Sequence, residues 1–148
     1  MMITIIYKFI RAAAYLIGGD YKAISFVAIT LIATMLAHYK EKIKACVPKM
    51  AYNLIPSAFI LASILIEKEY TGWTIVLIAV TGLECYLVWM YDEYRYIYAG
   101  KFAIEFTFMI YAYANGMIFA GIIETIAVIF NFIMYGAEMN IIKLPVKK

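Results

Sequence analysis

The chain has 148 residues, of which 66% are hydrophobic and 16% are charged, and its formal net charge is +3. This length is enough for one domain, and we expect residues 1–148 to form a single transmembrane domain. The basic residues lie mainly between apolar runs. Membrane topology therefore explains the positive charge better than nucleic-acid binding does, and no nucleic-acid partner is expected.

Five apolar runs are separated by short segments that are rich in Lys and Glu. A backbone inside the hydrocarbon core must satisfy its own hydrogen bonds, so apolar runs of this kind must be helices. A helical crossing needs about 17–25 mostly apolar residues, and these runs lie at the short end of that range. The runs are residues 23–37, 51–66, 73–91, 102–114 and 117–136. They predict an all-α, polytopic transmembrane helix bundle.

The first predicted helix, residues 3–17, is strongly amphipathic. Bulky apolar residues occupy one face, and a polar face opposes them. The polar face consists of Thr4, Tyr7, Lys8, Arg11 and Tyr15. A basic amphipathic helix is typical of segments that lie in the membrane surface. The same helix can instead cross the bilayer if its polar face meets protein or water.

Two topologies follow from this ambiguity. If the first helix crosses, the chain has six spans with both termini inside. If it lies on the outer surface as an amphipathic interfacial helix, the chain has five spans with the N-terminus outside. We prefer six spans.

The distribution of basic residues predicts the orientation. Connections 39–49 and 92–101 and the C-terminal tail are basic, whereas the connections between them hold only Lys68. The basic residues are Lys40, Lys42, Lys44, Lys49, Arg95, Lys101, Lys143, Lys147 and Lys148. The positive-inside rule therefore places these segments in the cytoplasm. A composition rich in Ile, Lys and Tyr is typical of an AT-rich genome, so we expect a bacterial inner membrane with the C-terminus cytoplasmic.

Three turns on the opposite side contain glycine, which adopts positive φ without steric cost. They lie at Gly18–Gly19, Thr71–Gly72 and Asn115–Gly116. Six spans connected in this way form three helical hairpins. Tyr and Trp near the two ends of the spans, including Tyr7 at the inner edge and Tyr15 at the outer edge, are expected to form interfacial belts.

Three carboxylates, Glu84, Glu105 and Glu124, lie inside apolar runs. A charged residue at the centre of a span costs about 2.5–3.5 kcal/mol on insertion scales and is functional by default. Glu105 and Glu124 lie at similar distances from the turn at 115–116, so we expect them to face each other. Two carboxylates at close range share a proton.

Two interpretations of the carboxylates remain open. In the structural interpretation they are protonated, or they form ion pairs with Lys8 and Arg11 and hold the bundle together. In the functional interpretation they bind a proton and a positively charged solute in alternation.

We therefore expect a small transporter or channel for a cationic or proton-coupled small solute. The alternative, from another class, is a non-catalytic membrane protein that acts by assembly, as a holin-like pore former or an accessory subunit of a membrane complex. Short helices enclose little space, so a homo-oligomer or a membrane-protein partner is expected in both cases.

The sequence gives no indication of an enzyme. It has one histidine, His38, and two separated cysteines, Cys46 and Cys85. We find neither a nucleophile–base pair nor a metal cluster among them, and no glycine-rich phosphate loop. We expect no catalytic residues, no metal and no cofactor.

Overall fold

The computed structural model describes residues 2–67, 70–92 and 94–139, and all regular secondary structure in them is helical. The seven helices are α1 (Met2–Ile17), α2 (Tyr21–Ala37), α3 (Lys40–Cys46), α4 (Lys49–Ile66), α5 (Gly72–Met90), α6 (Tyr94–Ala114) and α7 (Ile118–Glu138). The prediction of an all-α protein is thereby confirmed for this part of the chain.

Three of these helices, α4, α5 and α7, are long and apolar enough to cross a membrane. A fourth candidate is the pair α2 and α3, which are bent by 69° relative to each other. These spans are consistent with a membrane location. By length and composition, the described residues thus contain three or four candidate spans, where the sequence predicts six.

The remaining helices fall short for physical reasons. Helices α1 and α2 have 16 and 17 residues. A crossing needs about 17–25 residues, so both helices lie at or just below the lower limit of that range. Helix α6 has 21 residues, but its sequence includes Lys101 and Glu105, which lower its hydropathy.

Five helices form a closed ring. Helix α1 packs on α2 and α7, α5 packs on α2 and α6, and α6 packs on α7. Helix α4 lies outside this ring against α2 and α5, with α3 beside it. The predicted hairpin partners α1–α2, α4–α5 and α6–α7 therefore pack together.

The amphipathic helix α1 turns its polar face inward. Arg11 is 1% exposed, whereas Ile17 and Phe9 on the opposite face are 73% and 59% exposed. A helix that lay on the surface of a membrane would present its basic face to water. Helix α1 instead has its basic face against protein and its apolar face exposed.

Two of the three predicted glycine turns have the expected backbone. Gly19 and Gly116 have φ values of 76° and 72°. The prediction was wrong for Gly72, which is the first residue of α5 and has no positive φ. The Thr71 hydroxyl accepts a hydrogen bond from the backbone N–H of Thr74 and caps the helix, so no left-handed residue is needed.

Both predicted basic connections are largely helical. Segment 39–49 contains α3, and α6 already begins at Tyr94, inside segment 92–101. An apolar run marks only the part of a helix that lies in the hydrocarbon core. The helix itself can continue into the polar region beyond that core. The predictions for Lys68, the Arg95 side chain, Lys143, Lys147 and Lys148 lie outside the described residues.

Candidate functional site

Five charged side chains meet inside the helix ring, and we call them the charge cluster. They are the candidate residues from the sequence, and each is at most 2% exposed. The members are Lys8 and Arg11 from α1, Glu84 from α5, Glu105 from α6 and Glu124 from α7. The structure thus brings Arg11 into contact with Glu124, which lies 113 positions further along the chain.

Lys8 forms one end of the cluster. Its Nζ atom lies 2.5 Å from Glu84 Oε1 and donates a second hydrogen bond of 2.7 Å to Thr30 Oγ1. The Thr30 hydroxyl in turn donates to the carbonyl oxygen of Val27. One ammonium group therefore connects α1, α2 and α5.

Arg11 forms the other end. Its Nε atom donates to Glu124 Oε1 at 2.5 Å, and its Nη1 atom lies 3.2 Å from Glu105 Oε2. The guanidinium carbon lies 4.0 Å from the centroid of the Phe108 ring, which adds a cation–π contact. One guanidinium therefore connects α1, α6 and α7.

Two tyrosines complete the Arg11 end. The Tyr15 hydroxyl donates to Glu124 Oε1 at 2.9 Å. The Tyr7 hydroxyl lies 3.0 Å from Glu105 Oε2 and 3.1 Å from Glu124 Oε2. Glu105 and Glu124 thus face the same hydroxyl, as their distances from the turn suggested.

Neither tyrosine is predicted from the sequence as a site residue. The belt prediction was wrong for Tyr15, which is fully buried with its hydroxyl on Glu124. The available signal was its position on the polar face of α1, beside Arg11. Thr30 was missed as well, because a lone threonine within an apolar run gives no pattern.

Four buried polar atoms of the site have no hydrogen-bond partner among the described residues. They are Arg11 Nη1, Arg11 Nη2, Glu84 Oε2 and Thr81 Oγ1. Thr81 and Glu84 lie one helical turn apart on the same face of α5. Arg11 Nη1 nonetheless lies 3.2 Å from Glu105 Oε2, and buried polar atoms without a protein partner commonly bind ordered water.

Other polar candidates do not join the cluster. His38 is exposed, and its ring packs edge-on against Tyr39. Cys46 is exposed and Cys85 is buried, and both are free thiols. The described residues contain no group of His, Cys, Asp and Glu that is able to hold a metal ion.

Comparison of the chain with protein-family models, with curated proteins and with solved structures finds no match.

Proposed function

We propose that the protein is a small membrane transporter or channel for a cationic or proton-coupled solute. Glu84, Glu105 and Glu124 are its binding carboxylates. Lys8 and Arg11 are positioning residues that hold these carboxylates in the ring.

The observation that carries this proposal is the balance of charge. The cluster buries three carboxylates with only two cations in contact with them. If all five groups are ionised, the cluster carries one excess negative charge in a medium of low dielectric, which is unfavourable, and Lys101 offsets it only at longer range. A bound proton or a bound cation removes that excess.

The contacts of Tyr7 support a proton at this position. A tyrosine hydroxyl has one hydrogen to donate, yet it lies within 3.1 Å of oxygens from both Glu105 and Glu124. Both contacts are favourable hydrogen bonds when one carboxyl group carries a proton and donates it to the tyrosine oxygen. We therefore place the exchangeable proton between Glu105 and Glu124.

Lys101 does not compensate the excess by direct contact. Its charge interacts with those of Glu84 and Glu105, but it forms no ion pair with another described residue. We assign the solute to the other end of the cluster, where the buried Glu84 Oε2 and Thr81 Oγ1 atoms have no hydrogen-bond partner among the described residues.

Proton flux in vesicles tests the proposal. The purified protein is reconstituted in liposomes that contain a pH-sensitive dye, and gradients of alkali metal ions or small organic ammonium ions are imposed. We expect at least one cation to change the internal pH, and Glu105→Gln or Glu124→Gln to abolish that change. Glu138→Gln is the matched control, because Glu138 is exposed at the end of α7. Unchanged flux in correctly folded Glu105→Gln and Glu124→Gln variants would contradict the proposal.

We also propose the six-span topology, with the basic connections on the cytoplasmic side of a bacterial inner membrane. The inward polar face of α1 and the packing of three helical hairpins support it. With protein against its polar face, α1 can cross the bilayer without exposing Lys8 or Arg11 to lipid.

One observation favours the alternative function by assembly. Helix α4 is the least buried of the three candidate spans. Its exposed positions include residues spaced alternately by three and four, which is the spacing of a helix–helix seam. They are Ala51, Leu54, Ala58, Leu61 and Leu65. If assembly is the function, expression should arrest growth, and replacing Ala58 with a bulky residue should abolish both the arrest and cross-linked oligomers.

A further inference from the structure

A groove with a volume of about 360 Å³, lined by charged and aromatic residues, lies where α3, α4 and α5 meet, away from the charge cluster. Its lining includes Glu41 and Lys44 of α3, Lys49 and Asn53 of α4, and Trp89 of α5. The positive-inside rule accounts for the lysines alone. The groove therefore has a chemistry that topology does not explain.

The groove lies at the ends of two candidate spans. Helix α4 begins at Lys49, and α5 ends at Met90. The buried floor is aromatic: the rings of Tyr52 and Trp89 are 5.2 Å apart, and Trp89 Nε1 donates to the Tyr52 carbonyl oxygen. Since the ends of spans and their aromatic residues lie at the level of the lipid headgroups, the groove opens at that level.

One part of the groove suits an anion. Lys44 and Lys49 are exposed, and neither forms an ion pair with another described residue. Lys49 begins α4, whose preceding residue Pro48 provides no side-chain cap, so the first N–H groups of the helix also favour negative charge. Together with the Asn53 amide, they fit the phosphodiester of a phospholipid headgroup.

Another part suits a cation. Asp92 already contacts Lys40, whereas Glu41 forms no ion pair in the described part of the chain. Glu41 therefore offers a carboxylate beside the two lysines. A headgroup with a phosphate and an ammonium matches this arrangement, whereas a headgroup with a phosphate alone would leave Glu41 without a partner.

We propose that this groove binds the headgroup of a zwitterionic phospholipid that carries a primary ammonium. Lys44 and Lys49 bind its phosphate, and Glu41 accepts hydrogen bonds from its ammonium. The acyl chains lie along the exposed apolar surface of α4, where Leu54 and Leu61 are 57% and 55% exposed. A primary ammonium is preferred over a quaternary one, because only the former donates N–H hydrogen bonds. The proposal does not depend on proton binding by the charge cluster.

Lipid retention during purification tests the proposal. The full-length protein is incubated in detergent with ethanolamine, choline or glycerol phospholipids of identical acyl chains, and bound lipid is counted by native mass spectrometry. We expect the ethanolamine lipid to be retained over the choline lipid by about tenfold, which is the effect of one charge-assisted hydrogen bond. Equal retention of the three lipids would overturn the proposal.

Variants of exposed groove residues test which side chains bind the ammonium and which bind the phosphate. These substitutions do not disturb the core. Glu41→Gln should abolish the preference for ethanolamine, and Lys44→Gln combined with Lys49→Gln should reduce retention of the ethanolamine and choline lipids alike. The control is Lys42→Gln, which lies on the same helix outside the groove and should change neither. Unchanged retention in the groove variants would overturn the proposal.

Displacement of the lipid by equimolar glycerophosphoethanolamine would show that the ligand is a soluble phosphate ester, which also overturns it.

Discussion

Each cation of α1 is bound by a carboxylate from a different helix, so single side chains connect elements that are distant in sequence. Lys8 contacts Glu84, and Arg11 contacts both Glu105 and Glu124. Burying such a charge is unfavourable unless it is paired, and the loss of one partner leaves the other uncompensated. The stability of the ring should therefore depend on pairs of residues rather than on individual residues.

The Lys8–Glu84 pair allows this dependence to be measured. Lys8→Met alone leaves a buried carboxylate and should lower the free energy of unfolding by about 3–5 kcal/mol. Adding Glu84→Met removes the uncompensated charge and should restore most of that loss. A denaturant titration in detergent measures the free energy of unfolding of both variants. A double variant as unstable as Lys8→Met would show that the two side chains are not coupled.

The Lys40–Asp92 pair predicts a small dependence on pH. A hydrogen bond from the Lys40 ammonium lowers the pKa of Asp92 below its ordinary value of 3.8. The stabilisation is present above the pKa of the unfolded chain and is lost as the pH falls through the lower folded pKa. Because the Asp92 side chain is 76% exposed, the contribution should be below about 1 kcal/mol. Asp92→Asn should remove only this acid-dependent part of the stability, measured between about pH 5 and pH 2.

The sequence could predict which residues form the charge cluster but not how they pair. Carboxylates in apolar runs and cations on an amphipathic helix can be recognised in the sequence. Charged residues are rare in membrane segments because burying them in hydrocarbon is costly. Lys8 pairs with Glu84 rather than with Glu124 because of the way the helices are arranged. Hydropathy carries no information about that arrangement. Tyr7 and Tyr15 were ambiguous, since tyrosine is equally suited to a membrane interface and to a buried hydrogen bond.

Close approach between helices determines how the elements fit together. At Gly82 of α5, an added Cβ atom would lie 2.8 Å from Ile60 Cγ1 of α4. Since β-branched side chains have few rotamers in a helix, Ile60 has little freedom to move away. The α4–α5 contact therefore requires a residue without a side chain at position 82.

We expect Gly82→Ala to destabilise the protein by about 1–3 kcal/mol through overpacking. Gly72→Ala is the control on the same helix, because nothing lies within 4 Å of a Cβ atom at that position. The control should be neutral or slightly stabilising. Thermal unfolding of both variants in detergent distinguishes them, and equal stability would contradict a tight α4–α5 contact.

Hairpin partners were predictable at the level of elements, but helix ends were not. The turns at Gly18–Gly19 and Asn115–Gly116 contain glycines with positive φ, as expected. Helix α3 and the first turns of α6 were missed, since they lie outside the apolar runs from which the helices were predicted. The peripheral position of α4 was also invisible, because hydropathy does not distinguish a lipid-facing helix from a central one.

At the scale of the whole molecule, the proposed topology predicts which residues are accessible from each side. Single cysteines introduced at positions 44 and 147 should react only after the membrane is made permeable, and one at position 68 should react in intact cells. Cys46→Ser is the required background, since Cys46 is exposed and Cys85 is buried. Equal accessibility of positions 44 and 68 would contradict the topology. A cysteine at position 2 should be protected in intact cells if the chain has six spans, and it should react in intact cells if the chain has five.

The sequence separation of the ion pairs has a consequence for biosynthesis. Lys8 is 76 residues from Glu84, and Arg11 is 113 residues from Glu124. Helix α1 is therefore synthesised long before any of its carboxylate partners, and its cations have no counter-charge in the membrane during that time. We expect α1 to wait at the membrane surface with its basic face in water, and to enter the bilayer only when α5, α6 and α7 have been inserted. Chains that end after α4 should leave a cysteine at position 14, where Ala14 is buried in the full chain, open to a water-soluble reagent, and the full chain should protect it. The surface helix and the crossing helix would then be two successive stages of one segment.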